Sequence, residues 1–224
     1  MIFTKNFLYL HFPKTGGIML TQQLLANLKG DVTYTIPKGH ASPKERWKQL
    51  RGQIRILEGL RHENIEEANQ LLRRNNLSQR VNSFECILLN IRNPYDYMVS
   101  RYHYLRDIQK HNRSGKAAKL ATEGDFKNFA INLEHHYDVK GFILNKRGAI
   151  PAQMKIIKYE EMAGKLNDTI RIYLKSPLVF TQQINQSRHD HYLTYIKDKE
   201  IESAIYERYQ YLFDQGYYKR LNIS

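Results

Sequence analysis

Strand-like and helix-like runs alternate along this chain, and that alternation constrains its fold more than any other feature. The runs FLYLHF (7–12), VTYTI (32–36), CILLNI (86–91) and QMKIIKY (153–159) are short, apolar and rich in β-branched or aromatic residues, with QIRIL (53–57) a weaker fifth. Helical patterns lie between and after them, over 15–29, 64–75, 94–109, 125–136, 161–174 and 197–215. In the 94–109 stretch Tyr97, Met98, Tyr104 and Leu105 fall close to helical spacing. The pattern predicts an α/β fold, a three-layer sandwich around a mostly parallel sheet, in one domain spanning 1–224. Ligands in such folds bind beyond the carboxyl ends of the strands. The polar, basic stretch 110–125 reads as a mobile surface loop.

The opening MIFTKNFLYLHF has no small-residue cleavage site and reads as a first strand rather than a signal peptide. No stretch approaches the roughly 20 apolar residues of a membrane span. Cys86, in the apolar run ECILLNI, is the sole cysteine, so no internal disulfide can form and a small core residue is expected. These features point to a cytoplasmic, reducing setting with no membrane partner. The net charge is +13, from 35 Lys and Arg against 22 Asp and Glu. It favours an anionic partner without choosing among nucleic acid, an acidic surface and a small polyanion.

Two loops narrow that choice. In LHFPKTGGIML (10–20) a strand runs through Pro13, Lys14, Thr15, Gly16 and Gly17 into a helix pattern. Free N–H groups and the helix dipole attract an anion there, glycines let the backbone approach it, and Lys14 adds a charge. The order differs from a nucleoside-triphosphate loop, in which lysine follows the second glycine and a hydroxyl residue comes next. It also differs from a dinucleotide G-x-G-x-x-G turn. The second loop is IRNPYDYMVS (91–100): Arg92 ends a strand, Asn93 is an N-cap, Pro94 suits the first helical position and Asp96 the first turn. Ser100 lies two turns on, about 10 Å along the axis. A guanidinium and a hydroxyl at such a place suit a second phosphate.

HFPKTGG together with Arg92-Asn93-Pro94 and Ser100 resembles the sulfotransferases that use 3′-phosphoadenosine 5′-phosphosulfate (PAPS), and is closest to their carbohydrate-sulfotransferase-like branch. MKIIKYEEM (154–162), QQINQSRHDHYLTYI (182–196) and YQYLFDQGYY (209–218) resemble later segments of that family more loosely. The resemblance implies a P-loop-NTPase-like sulfotransferase fold and transfer of a sulfuryl group from PAPS to a hydroxyl acceptor. The acceptor is expected to be a glycan or another small molecule, with PAP as the product and no metal. Residues 14 to 18, from Lys14 through Thr15, Gly16 and Gly17 to Ile18, would cradle the 5′-phosphosulfate, the Thr15 hydroxyl included. Lys14 would stabilise charge on the leaving oxygen, and Arg92 and Ser100 would hold the 3′-phosphate. Ser187 and Arg188 match a nucleotide-closing segment loosely.

In-line sulfuryl transfer also needs a base for the acceptor proton. His40, after VTYTI, is the favoured candidate; His62, after the weaker strand and near Glu58, is the second. The family's usual Gly-His pair falls at Gly59-Leu60 on one alignment, where the histidine is missing. The adjacent His135 and His136 cannot face the same way on a helix and read as surface residues. Two rival functions stand beside this one. A kinase-like nucleotide enzyme is opposed by the order of the first loop. A nucleic-acid or polyanion binder is suggested by the charge and the 16 tyrosines. The basic residues are dispersed, however, and most tyrosines fall at helix-face spacing, so no nucleic-acid partner is expected.

Overall fold

A computed structural model describes residues 1–38, 54–109, 115–134, 137–180 and 189–223. The chain forms two compact units, Met1–Ile91 with Lys140–Ile184, and Arg92–Val139 with Asn185–Ser224.

The first unit holds a six-stranded sheet. Its strands are β1 (Ile2–Phe3), β2 (Phe7–Leu10), β3 (Val32–Ile36), β4 (Ile54–Glu58), β5 (Cys86–Ile91) and β6 (Met154–Lys158), in the spatial order β4-β3-β1-β2-β5-β6. The pairs β3–β4, β2–β5 and β5–β6 are parallel, as the alternating pattern predicts. The two-residue β1 is antiparallel to both neighbours. The opening segment is therefore two strands rather than one. The polar Lys5-Asn6 turn divides them, and the Thr4 hydroxyl accepts the Phe7 N–H across it at 3.2 Å.

Every residue of β2, β3 and β5 is buried, so both sheet faces are covered. On one face α1 (Gly17–Asn27) and α7 (Met162–Ile170) pack Leu20, Leu24, Leu166 and Ile170 against Tyr9, Tyr34 and Leu88. On the other, Phe84 meets Phe3 edge-on with ring centres 6.1 Å apart, and α2 (Ile65–Arg74) buries Ala68, Leu71 and Leu72. A capping box starts α2: Asn64 accepts the Glu67 N–H while Glu67 accepts the Asn64 N–H, both at 2.9 Å. Cys86 lies in the core as expected, and burial pushes its thiol up to about 11.

The second unit is helical. It contains α3 (Pro94–Gln109), α4 (Lys116–Glu123), α5 (Phe126–Asn132) and α8 (Lys199–Asp214), while the short α6 (Val139–Ile143) straddles the division. The stretch expected to be a mobile loop is thus helical over Lys116–Glu123, with Ala118 and Ala121 buried. The alanines in KAAKLATE are strong helix formers, and the polar, basic composition hid them. Residues 110–114 lie outside the described residues. Asp125 caps α5 by accepting the Asn128 N–H at 2.8 Å. Buried Glu202 in α8 accepts the Tyr95 hydroxyl at 2.6 Å and the Arg220 guanidinium at 2.9 and 2.8 Å.

Candidate functional site

The loop between β2 and α1 sits at the carboxyl end of β2, the edge predicted to bind ligand. Lys14 (φ 62°) and Gly16 (φ 72°) are both left-handed, on either side of Thr15. Glycine adopts that conformation freely, but lysine does so at a cost of about 1 to 2 kcal/mol. Alternation of this kind turns successive N–H groups toward one concavity, a form that binds anions. Gly16 is the N-cap of α1 and supplies no side-chain cap, and no acidic residue occupies the first turn. The positive end of the helix is therefore not neutralised locally.

The two glycines serve different neighbours. A Cβ on Gly16 would lie 2.7 Å from the Tyr159 ring, which follows β6 at the same sheet edge. A Cβ on Gly17 would lie 1.6 Å from His11 Nε2. His11 therefore fills the space beneath the first residue of α1, and only glycine leaves room for it. Thr15 is fully buried and its hydroxyl donates to the Phe12 carbonyl at 2.7 Å. That proton is committed inside the loop. Lys14 is half-buried and Ile18 is 55% exposed.

His62 lies at the root of the same loop. Its Nδ1 is 3.0 Å from the His11 carbonyl, which can only accept, so Nδ1 carries the proton and the lone pair resides on Nε2. The two imidazoles meet edge-to-face with centres 4.4 Å apart. Burial lowers His62 to about 4, outweighing the carbonyl contact that raises it. Burial also lowers His11 well below its ordinary value, reinforced by His62, the Met1 ammonium and Arg61. Both rings are neutral near pH 7. Glu63, beside them, accepts the Met1 ammonium at 2.7 Å, the Thr35 hydroxyl at 2.9 Å and the Leu60 N–H at 2.7 Å. His40, Ser187, Arg188, His135 and His136 lie outside the described residues.

In the second unit the cap of α3 forms as its sequence specifies. Asn93 accepts the Tyr95 N–H at 3.0 Å with Pro94 at the first helical position. Arg92 Nε donates to Asp96 at 2.7 Å and its NH1 donates to Ser100 at 3.0 Å. Arg92 and Ser100 are thus brought together, with Asp96 holding the guanidinium against the helix face. Ser100 is 2% exposed.

Sequence reasoning missed His11. The signal was present: His11 lies just past the end of β2, two residues after Tyr9, and continues the face on which Tyr9 joins the core. A polar residue at that register is a marked exception to an apolar pattern.

Among the described residues no helix is long and apolar enough to cross a membrane, and no group of three or more His, Cys, Asp or Glu is placed to hold a metal ion. No family model and no curated protein matches the chain. Among solved structures, mouse sulfotransferase SULT7A1 complexed with PAP aligns at 18% identity and a TM-score of 0.37 over 76% of this chain. The alignment spans 57% of that protein's length.

Proposed function

We propose that the chain is a PAPS-dependent sulfotransferase acting on a hydroxyl acceptor, a carbohydrate on the sequence resemblance. The observation that carries this reading is the β2–α1 loop: two left-handed residues, a cationic side chain and an unneutralised helix N-terminus at one strand end. That arrangement favours a phosphate or sulfate group over a neutral ligand. The N–H groups of residues 14 to 18 receive the 5′-phosphosulfate. Arg92 with Ser100 receives the 3′-phosphate, the group that separates PAPS from adenosine diphosphate and triphosphate.

In the reaction the acceptor oxygen forms a bond to sulfur as the bond from sulfur to the bridging phosphate oxygen breaks. The acceptor proton passes to a base, and PAP departs with the developed charge beside Lys14. His40 is the base suggested by sequence order. Among the described residues His62 has the features of one, a neutral ring oriented by a backbone carbonyl with its lone pair on Nε2.

Calorimetric titration with PAP, with ADP and ATP–Mg²⁺ as controls, tests the reading. Tight PAP binding with weak ADP binding is expected, and ATP–Mg²⁺ binding without PAP binding would turn the assignment to a kinase-like enzyme. In an active preparation Lys14→Ala should lower kcat more than it weakens PAP affinity, because its charge partner develops in the transition state.

A further inference from the structure

His11 is 6% exposed, and its Nδ1 has no hydrogen-bond partner among the described residues. Buried polar side chains are nearly always paired, so an unpaired one calls for an explanation. The ring's Nε2 edge occupies the place where a side chain of Gly17 would begin. Cα–Cβ bonds tilt toward a helix N-terminus, so that place faces the open end of α1. Asn90 is also fully buried and unpaired at both amide atoms among the described residues. It follows Leu89, the partner of Leu10, and so stands beside His11 on the neighbouring strand and on the same sheet face. Polar side chains occupy the floor of the loop where the strand pattern otherwise calls for apolar ones.

We propose that His11 is part of the anion site, its Nε2–H, at the ring edge that faces Gly17, donating from below to an oxygen of the phosphate or sulfate held at the α1 N-terminus. This rests on the assignment of that loop as an anion site and adds a residue to it. The absence of a side chain at Gly17 then follows, because any side chain there would displace the donor. His11 differs from the base in role, since it faces the donor's oxygens and remains neutral, holding rather than accepting a proton. The stack on Tyr9, with ring centres 5.7 Å apart, and the edge contact with His62 fix the ring from two sides. A donor fixed in advance does not have to be ordered when the anion arrives.

The test compares PAP and inorganic pyrophosphate binding to wild type, His11→Phe and His11→Gln by calorimetry. Phenylalanine keeps the ring and removes the donor; glutamine keeps a donor. His11→Phe should weaken PAP binding about 10- to 100-fold, the range for a hydrogen bond to a charged group, with His11→Gln retaining most of the affinity. Equal PAP binding by wild type and His11→Phe would overturn the inference and leave the PAPS reading standing. Pyrophosphate binding that depends on His11, without PAP binding by wild type, would sink the PAPS reading and uphold the inference. Should His11→Phe fail to fold, ¹⁵N imidazole resonances of wild type decide. A shift of the His11 signals on adding PAP supports the contact, and unchanged signals refute it.

Discussion

Replacing Gly17 with alanine probes the contact on which the loop is built. The new methyl would lie 1.6 Å from His11 Nε2, 2.2 Å from its Cδ2 and 2.4 Å from its Cε1. Ordinary contact begins near 3.4 Å, so ring and helix must part by about 2 Å. The ring cannot swing aside freely, because Tyr9 and His62 flank it. Overpacking of this kind costs about 1 to 3 kcal/mol. Alanine's better helix propensity returns at most about 1 kcal/mol, and less at the first helical position. Gly17→Ala should therefore lower the urea midpoint with unchanged slope, corresponding to a net loss of about 0.5 to 2.5 kcal/mol. In a His11→Ala background the methyl has room and the same substitution should cost close to nothing. The coupling from this double-mutant cycle should match the single-mutant loss. An equal cost of Gly17→Ala in both backgrounds would refute the placement of His11 beneath the helix.

Arg92→Ala should weaken PAP binding about 10- to 100-fold while leaving adenosine 5′-phosphate binding unchanged, and a retained preference for PAP would show that Arg92 does not hold the 3′-phosphate. His62 is lowered to about 4 in the folded chain, against about 6.5 unfolded, so between those values the unfolded state binds more protons. The associated stability is fully present above pH 6.5 and is lost as pH falls toward 4, about 3 kcal/mol in all. Urea midpoints at pH 5 and pH 7 should differ less in His62→Gln than in wild type, and an equal difference would contradict the buried neutral ring. Glu202→Ala leaves the buried Tyr95 hydroxyl without its acceptor and should cost about 1 to 2 kcal/mol by denaturation, with a neutral outcome showing that Glu202 does not anchor the tail through Tyr95 and Arg220.

Elements whose signals are local are legible from the residues alone. The bounds of β3, β5 and α3 follow from VTYTI, CILLNI and the Asn93-Pro94 cap, because alternation, capping and proline's missing N–H act within a few residues. The Arg92, Asp96 and Ser100 grouping is equally local, since spacings of four residues share a helix face. The glycine pair marked a strand-to-helix turn. Other features were decided only in three dimensions. The alanine helix over Lys116–Glu123 was hidden by its charged neighbours, and the antiparallel β1 by its two-residue length. No local pattern shows that Gly17 makes room for His11, that the Thr15 hydroxyl is taken by Phe12, or that His62 rests on the His11 carbonyl. The contact between His62 and His11 joins residues 51 apart, and strand register and sheet order set it. A one-residue slip of β2 would turn His11 to the opposite face, and no local propensity encodes that choice.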